Sequence, residues 1–136
     1  MFALLDTVIN IWSNPSKSNY NDDINLPNIE PLIEEIQQNG MLLEFVENQT
    51  PEICLAAIQQ NGEALIHVKD KTDKLCLEAV KQNGNVLRLI ENQTPEICLA
   101  AVKQNGLAIA FVKNQTPEIC LAAIQQNKKA IEFIEN

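Results

Sequence analysis

The sequence predicts an all-α protein: an α-solenoid of five 22-residue helix-turn-helix repeats with an extra N-terminal helix. Two observations carry this. Gly40, Gly62, Gly84 and Gly106 recur every 22 residues, and so do Cys54, Cys76, Cys98 and Cys120. Asn39, Asn61, Asn83, Asn105 and Asn127 keep the same interval. A fixed period of this length is the signature of stacked supersecondary units. Each period also holds the start and stop signals of helices. In register, the units run 28–49, 50–71, 72–93, 94–115 and 116–136, and 1–27 lies outside the period.

Within 1–27, Phe2, Leu4, Leu5, Val8, Ile9, Ile11 and Trp12 share helical spacing, with Asp6, Thr7 and Asn10 opposite, so a short amphipathic helix is expected. A polar connector, 14–27, has prolines at both ends. In unit 28–49 the pair Glu34-Glu35 stands where later units carry at least one alanine, which reads as a capping repeat facing water.

The pattern is plainest in 94–115. Thr94 is an N-cap, Pro95 takes the first helical position, and Glu96 puts negative charge at the positive end of the helix. An apolar run, 97–102, leads to Lys103 and Gln104, then to Asn105-Gly106 as a stop, with glycine expected in a left-handed conformation. A second helix over about 107–113 is expected to turn Ala108, Ile109, Phe111 and Val112 inward. The first helix is apolar almost all round, so it requires cover from neighbouring units. Alanine pairs such as Ala100-Ala101 let adjacent helices approach closely.

Units 72–93 and 116–136 depart from the pattern. Asp73 replaces the proline, and Glu78 replaces only the first alanine, which places that position nearer the surface than the second. Lys128 replaces the glycine, so either Lys128 takes a left-handed conformation at a steric cost or, the preferred reading, the last two helices fuse over about 117–135 or join through a tightened turn.

Composition excludes several functions. The chain has 136 residues and a net charge of −8, which opposes a phosphate backbone and makes nucleic acid an unsuitable partner. No apolar stretch approaches the roughly 20 residues of a membrane helix. The N-terminus has no basic region ahead of its apolar residues, so it does not read as a secretory signal, and a cytoplasmic location is expected. No lysine or arginine precedes Lys17, against a membrane-surface role for 2–12.

The residues that could carry chemistry have simpler readings. The four cysteines lie along a line rather than converging, without a Cys-x-x-Cys pair, and read as small core residues of a reduced compartment. Asn48, Asn92 and Asn114 begin glycosylation sequons, but the threonine of each is already a helix cap. His67 stands where other units have Phe45, Phe111 and Phe133, with no nucleophile placed beside it. Glu30, Glu52, Glu96 and Glu118 are helix-start acids. No catalytic residue, cofactor or metal is expected, and the chain is read as a non-enzyme.

A binding face is sought where the units disagree, because packing fixes the rest. Met41, Glu63, Asn85, Leu107 and Lys129 are equivalent, and three residues later stand Glu44, Ile66, Arg88, Ala110 and Glu132. From these, Met41, Glu44, Ile66, Arg88, Leu107 and Ala110 are the candidate partner contacts, with a drifting solvent surface as the alternative. The 2–12 helix is expected to cover the first repeat or, as the next reading, to pair with a partner or second copy, and Phe2, Trp12, Ile131 and Phe133 are candidate contacts to a second copy or a partner.

The segment Thr-Pro-Glu-Ile-Cys-Leu-Ala-Ala-Val-Lys-Gln-Asn-Gly-Leu-Ala, 94–108, resembles the repeats of the DUF4116 family, and the resemblance extends over 28–136. That family is of unknown function and occurs in bacteria and in large DNA viruses of amoebae. The resemblance implies a helical-repeat fold and no chemistry. The expected function is a non-enzymatic protein-interaction module or adaptor for an unknown protein partner, in the cytoplasm of the cell or its host, or in a virion. The alternative is a self-associating structural protein that forms a homo-oligomer through its terminal repeat or N-terminal helix.

Overall fold

The structure, a computed structural model, describes residues 30–135. The helix expected at 2–12, the connector, and with them Phe2 and Trp12, lie outside the described residues. Five units follow one another: α1 (Glu30–Gln38) and η1 (Gly40–Phe45), α2 (Pro51–Gln60) and η2 (Gly62–His67), α3 (Asp73–Gln82) and η3 (Gly84–Leu89), α4 (Pro95–Gln104) and η4 (Gly106–Phe111), α5 (Pro117–Gln126) and η5 (Lys128–Phe133). The η elements are 3-10 helices, and no strand occurs among the described residues. The expected repeat solenoid is the observed fold.

The α-helices begin as the sequence predicts. The hydroxyls of Thr50, Thr72, Thr94 and Thr116 accept the N–H of Ile53, Leu75, Ile97 and Ile119 at 3.2–3.3 Å, each satisfying an otherwise free first-turn donor. Their ends differ from expectation. No described residue has positive φ, glycine included. The stop is the asparagine, held extended near φ −150 in each unit, which ends the α-helix and caps the 3-10 helix in one step. Asn61 Oδ1, for example, accepts the Glu63 N–H at 3.0 Å, an Asx turn that offers the chain an alternative to further helix.

The second helix is also shorter and tighter than expected, with Gly106–Phe111 in place of 107–113. A 3-10 helix repeats every three residues, so its inward row is Gly106, Ile109 and Val112, with Ala108 beside it. Phe111 falls off that row and is 37% exposed, correcting its assignment to the inner side. The same spacing buries Gly62, Leu65 and Val68 in η2 and Gly84, Leu87 and Ile90 in η3.

Stacking supplies the core. Each α-helix packs on the α-helices of adjacent units and on the preceding unit's η helix, and the η helices form their own row. The buried core is continuous from Leu32 to Ala130 and contains no charged or polar side chain. As expected, the second position of the alanine pair is the deeper one: Ala57, Ala79, Ala101 and Ala123 are fully buried, whereas Glu78 is half-buried.

The glycines are explained by this stacking. A Cβ at Gly84 would come within 2.5 Å of the Ala101 carbonyl oxygen, and one at Gly62 within 3.0 Å of Ala79 O. Gly40 and Gly106 face Ala57 O and Ala123 O still more closely. The period-22 glycine is therefore a close approach to the next unit's helix. Lys128 occupies this position in the last described unit, where no further unit faces it. Its α-helix and 3-10 helix neither fuse nor turn through a left-handed residue: Asn127 is extended as in every other unit, and η5 follows directly. The fusion expected from the missing glycine is thus corrected, because asparagine makes the break.

Candidate functional site

The η helices and the loops after them form one long edge of the stack. In a 3-10 helix, residues i and i+3 stand in one row, so Met41 and Glu44, Glu63 and Ile66, Asn85 and Arg88, and Leu107 and Ala110 pair as the variable positions of successive units. The first member of each pair is half-buried and the second exposed. Ile66 is 53% exposed, and the neighbouring Phe45 and Phe111 are 56% and 37% exposed. The edge therefore displays Phe45, Ile66 and Phe111 among the charges of Glu44 and Arg88. Sequence reasoning overlooked the two phenylalanines, which a helix of 3.6 residues per turn would have hidden; the three-residue spacing of Gly106, Ile109 and Val112 is the signal that exposes them.

Part of the variation along this edge is structural. Arg88 donates to both carboxylate oxygens of Glu63, at 2.7 and 3.0 Å, joining η2 and η3. That contact holds the Glu63 carboxyl below its ordinary range and raises the guanidinium further. Asn83 Nδ2 also donates to Glu63 at 3.2 Å, and Asn105 Nδ2 donates to Asn85 at 3.1 Å. Residues 63 and 85 thus each accept a bond from the next unit. Met41 packs against the core, so of the candidates Glu44, Ile66 and Ala110 stand furthest toward solvent without a bond to a neighbouring unit among those described.

Side-chain amides set the register of the edge. Gln49 Nε2 donates to the His67 carbonyl at 2.8 Å, while its Oε1 accepts the Lys69 N–H at 2.9 Å. Gln93 makes the same pair of bonds to Phe111 O and the Lys113 N–H, at 2.9 and 3.0 Å. Gln115 repeats them with Phe133 O and the Glu135 N–H, at 3.1 and 2.8 Å. A carboxamide offers one donor and one acceptor in the geometry of a peptide group, so each rung extends backbone pairing from one unit to the next. A second set of rungs runs from Gly40 N–H to Gln60 and from Gly84 N–H to Gln104, at 2.7 and 2.6 Å.

The remaining candidates are placed as follows. Cys54, Cys76 and Cys98 are buried and Cys120 half-buried, all as free thiols, and burial pushes the first three thiols up. Raised values keep Cys54, Cys76 and Cys98 mostly in the thiol form at neutral pH. His67 is half-buried on the edge. Among the described residues no group of three or more His, Cys, Asp and Glu converges on a point. At the far end, Ile131 is 64% and Phe133 43% exposed. No described helix is long and apolar enough to cross a membrane.

Comparison with known proteins returns one family and no chemistry. No curated protein and no solved structure matches the chain. The family described as a domain of unknown function, DUF4116, matches in three overlapping stretches, 50–94, 73–115 and 94–136. Each stretch spans about two of the stacked units, and together they cover more than half of the sequence. The chain belongs to the DUF4116 family.

Proposed function

We propose that the protein is a non-enzymatic interaction module that binds a protein partner along its η edge. The observation that carries this is the apolar series Phe45, Ile66 and Phe111, exposed on successive parts of one edge and interspersed with Glu44 and Arg88. Interface cores are enriched in aromatic and aliphatic anchors within a polar rim. The edge is also held rigid by the amide rungs, which lowers the ordering cost of binding.

Affinity capture with the wild type, a Phe45→Ser, Ile66→Ser, Phe111→Ser variant and a Gln59→Ala, Lys103→Ala variant on exposed α-helical positions tests this. The expected result is a specific protein captured by the wild type and the α-helical variant and lost from the edge variant. Capture unchanged by the edge substitutions would remove the proposal.

A second reading, self-association through the terminal unit, rests on a separate observation. Ile131 is 64% exposed and Leu121 59%, whereas Leu43, Leu65, Leu87 and Ile109, the equivalents of Ile131, are fully buried by a following unit. Lys128 places a Cβ where a unit stacked in the internal register would bring its carbonyl, so this reading requires two terminal faces to pair with each other. Sedimentation velocity over a wide concentration range distinguishes the two. A dimer abolished by Ile131→Glu supports pairing, and a monomer at every concentration excludes it.

A further inference from the structure

The ladder of amide rungs has one gap. At the boundary between units 50–71 and 72–93, the position held elsewhere by Gln49, Gln93 and Gln115 is Lys71. Its ammonium donates to Val68 O at 2.9 Å, which reproduces the bond that Gln49 makes within its own unit to Val46 O at 3.3 Å. An ammonium has no acceptor. The two bonds that cross the boundary are therefore missing. By equivalence they would join the Leu89 carbonyl and the Glu91 N–H, and no described side chain bonds either group.

The missing rung leaves open space at this boundary. A cavity of about 340 Å³ is lined there by Lys69, Lys71, Cys76, Leu89, Ile90 and Glu91, among others. The equivalent spaces beside Gln49 and Gln93 measure only about 140 and 100 Å³. Each lysine of the lining already donates to a backbone carbonyl, Lys69 Nζ to Glu47 O at 2.8 Å and Lys71 Nζ to Val68 O at 2.9 Å. What the walls leave open is one acceptor and one donor, spaced as three internal glutamines already read them.

We infer that this gap is a binding site for a side-chain carboxamide, in which a glutamine of a protein partner donates to Leu89 O and accepts from the Glu91 N–H. The inference takes from the proposed function only the source of the ligand, a partner chain. It adds a polar, position-specific contact next to the apolar edge.

The test is titration of the isotope-labelled full chain with N-acetylglutamine methylamide and, in parallel, with the matching glutamate compound, following backbone amide signals by NMR. The glutamine compound is expected to shift the Glu91 amide saturably and to bind about tenfold tighter than the glutamate compound, because a carboxylate cannot donate to Leu89 O. Lys71→Gln places the chain's own amide in the gap and should abolish the response while the fold is kept, since three other units carry that residue. Gln93→Lys should open a second gap, so that the Lys113 amide now responds. Three results would overturn the inference: equal or tighter binding of the glutamate compound, an unmoved Glu91 amide, or a Glu91 response that survives Lys71→Gln. Any of these leaves the partner capture by the η edge intact, so failure here is distinct from failure of the interaction reading.

Discussion

At Gly40, Gly84 and Gly106 the missing Cβ is required by the next unit's helix carbonyl, not by the glycine's own dihedral angles. Gly84→Ala is therefore expected to cost about 1–3 kcal/mol, the usual penalty for forcing extra volume into a packed interior. Lys128→Ala, at the equivalent position without a facing unit, should stay within about 0.5 kcal/mol, as exposed substitutions do. Urea denaturation of both variants checks this, and equal losses would contradict the close-approach account. The interval of the glycines is legible in the sequence, but its cause is not. Asn-Gly after a helix reads as a left-handed stop, and only the position of Ala101 O relative to Gly84 shows that the asparagine makes the stop and the glycine makes room.

Among the elements, the η helices carry both what was legible and what was hidden. Their existence follows from the apolar residues after each glycine, but six residues between an asparagine cap and a loop are too few to declare their period. The rungs were invisible because Gln49, Gln93 and Gln115 read as polar turn residues, and their partners lie 18 and 20 positions away. Each rung exchanges two neutral hydrogen bonds worth about 0.5–1.5 kcal/mol apiece. Gln93→Ala should therefore destabilise by about 1–3 kcal/mol, and Lys71→Gln, which adds a rung, should stabilise by less, the two read as opposite shifts in the denaturation midpoint.

The Glu63 and Arg88 pair bridges the same boundary at the surface, so its removal by Arg88→Ala should cost no more than about 1 kcal/mol at neutral pH. The folded-state pKa of Glu63 is depressed, so the pair's contribution is present above the unfolded value and is lost as pH falls through the folded one. The difference between wild type and Arg88→Ala should accordingly vanish in acid. A difference that grows as pH falls would contradict the assignment.

Across the described residues, the units share one core and each touches only its neighbours, so stability propagates along the stack. The repeat architecture was readable because three residue types kept one interval. The edge was readable only in part. Ile66 and Arg88 stood out by their variation, whereas Phe45 and Phe111 were concealed by their regularity. Arg88 also joins two successive units through Glu63.

The proposed function places a protein partner on this edge and not on the α-helical face. Hydrogen exchange on the captured complex tests it most directly. New protection is expected in residues 44–47, 66–69, 88–91 and 110–113, with the exposed α-helical positions around Glu52, Lys81 and Lys103 unchanged. Protection confined to those α-helical positions would contradict it.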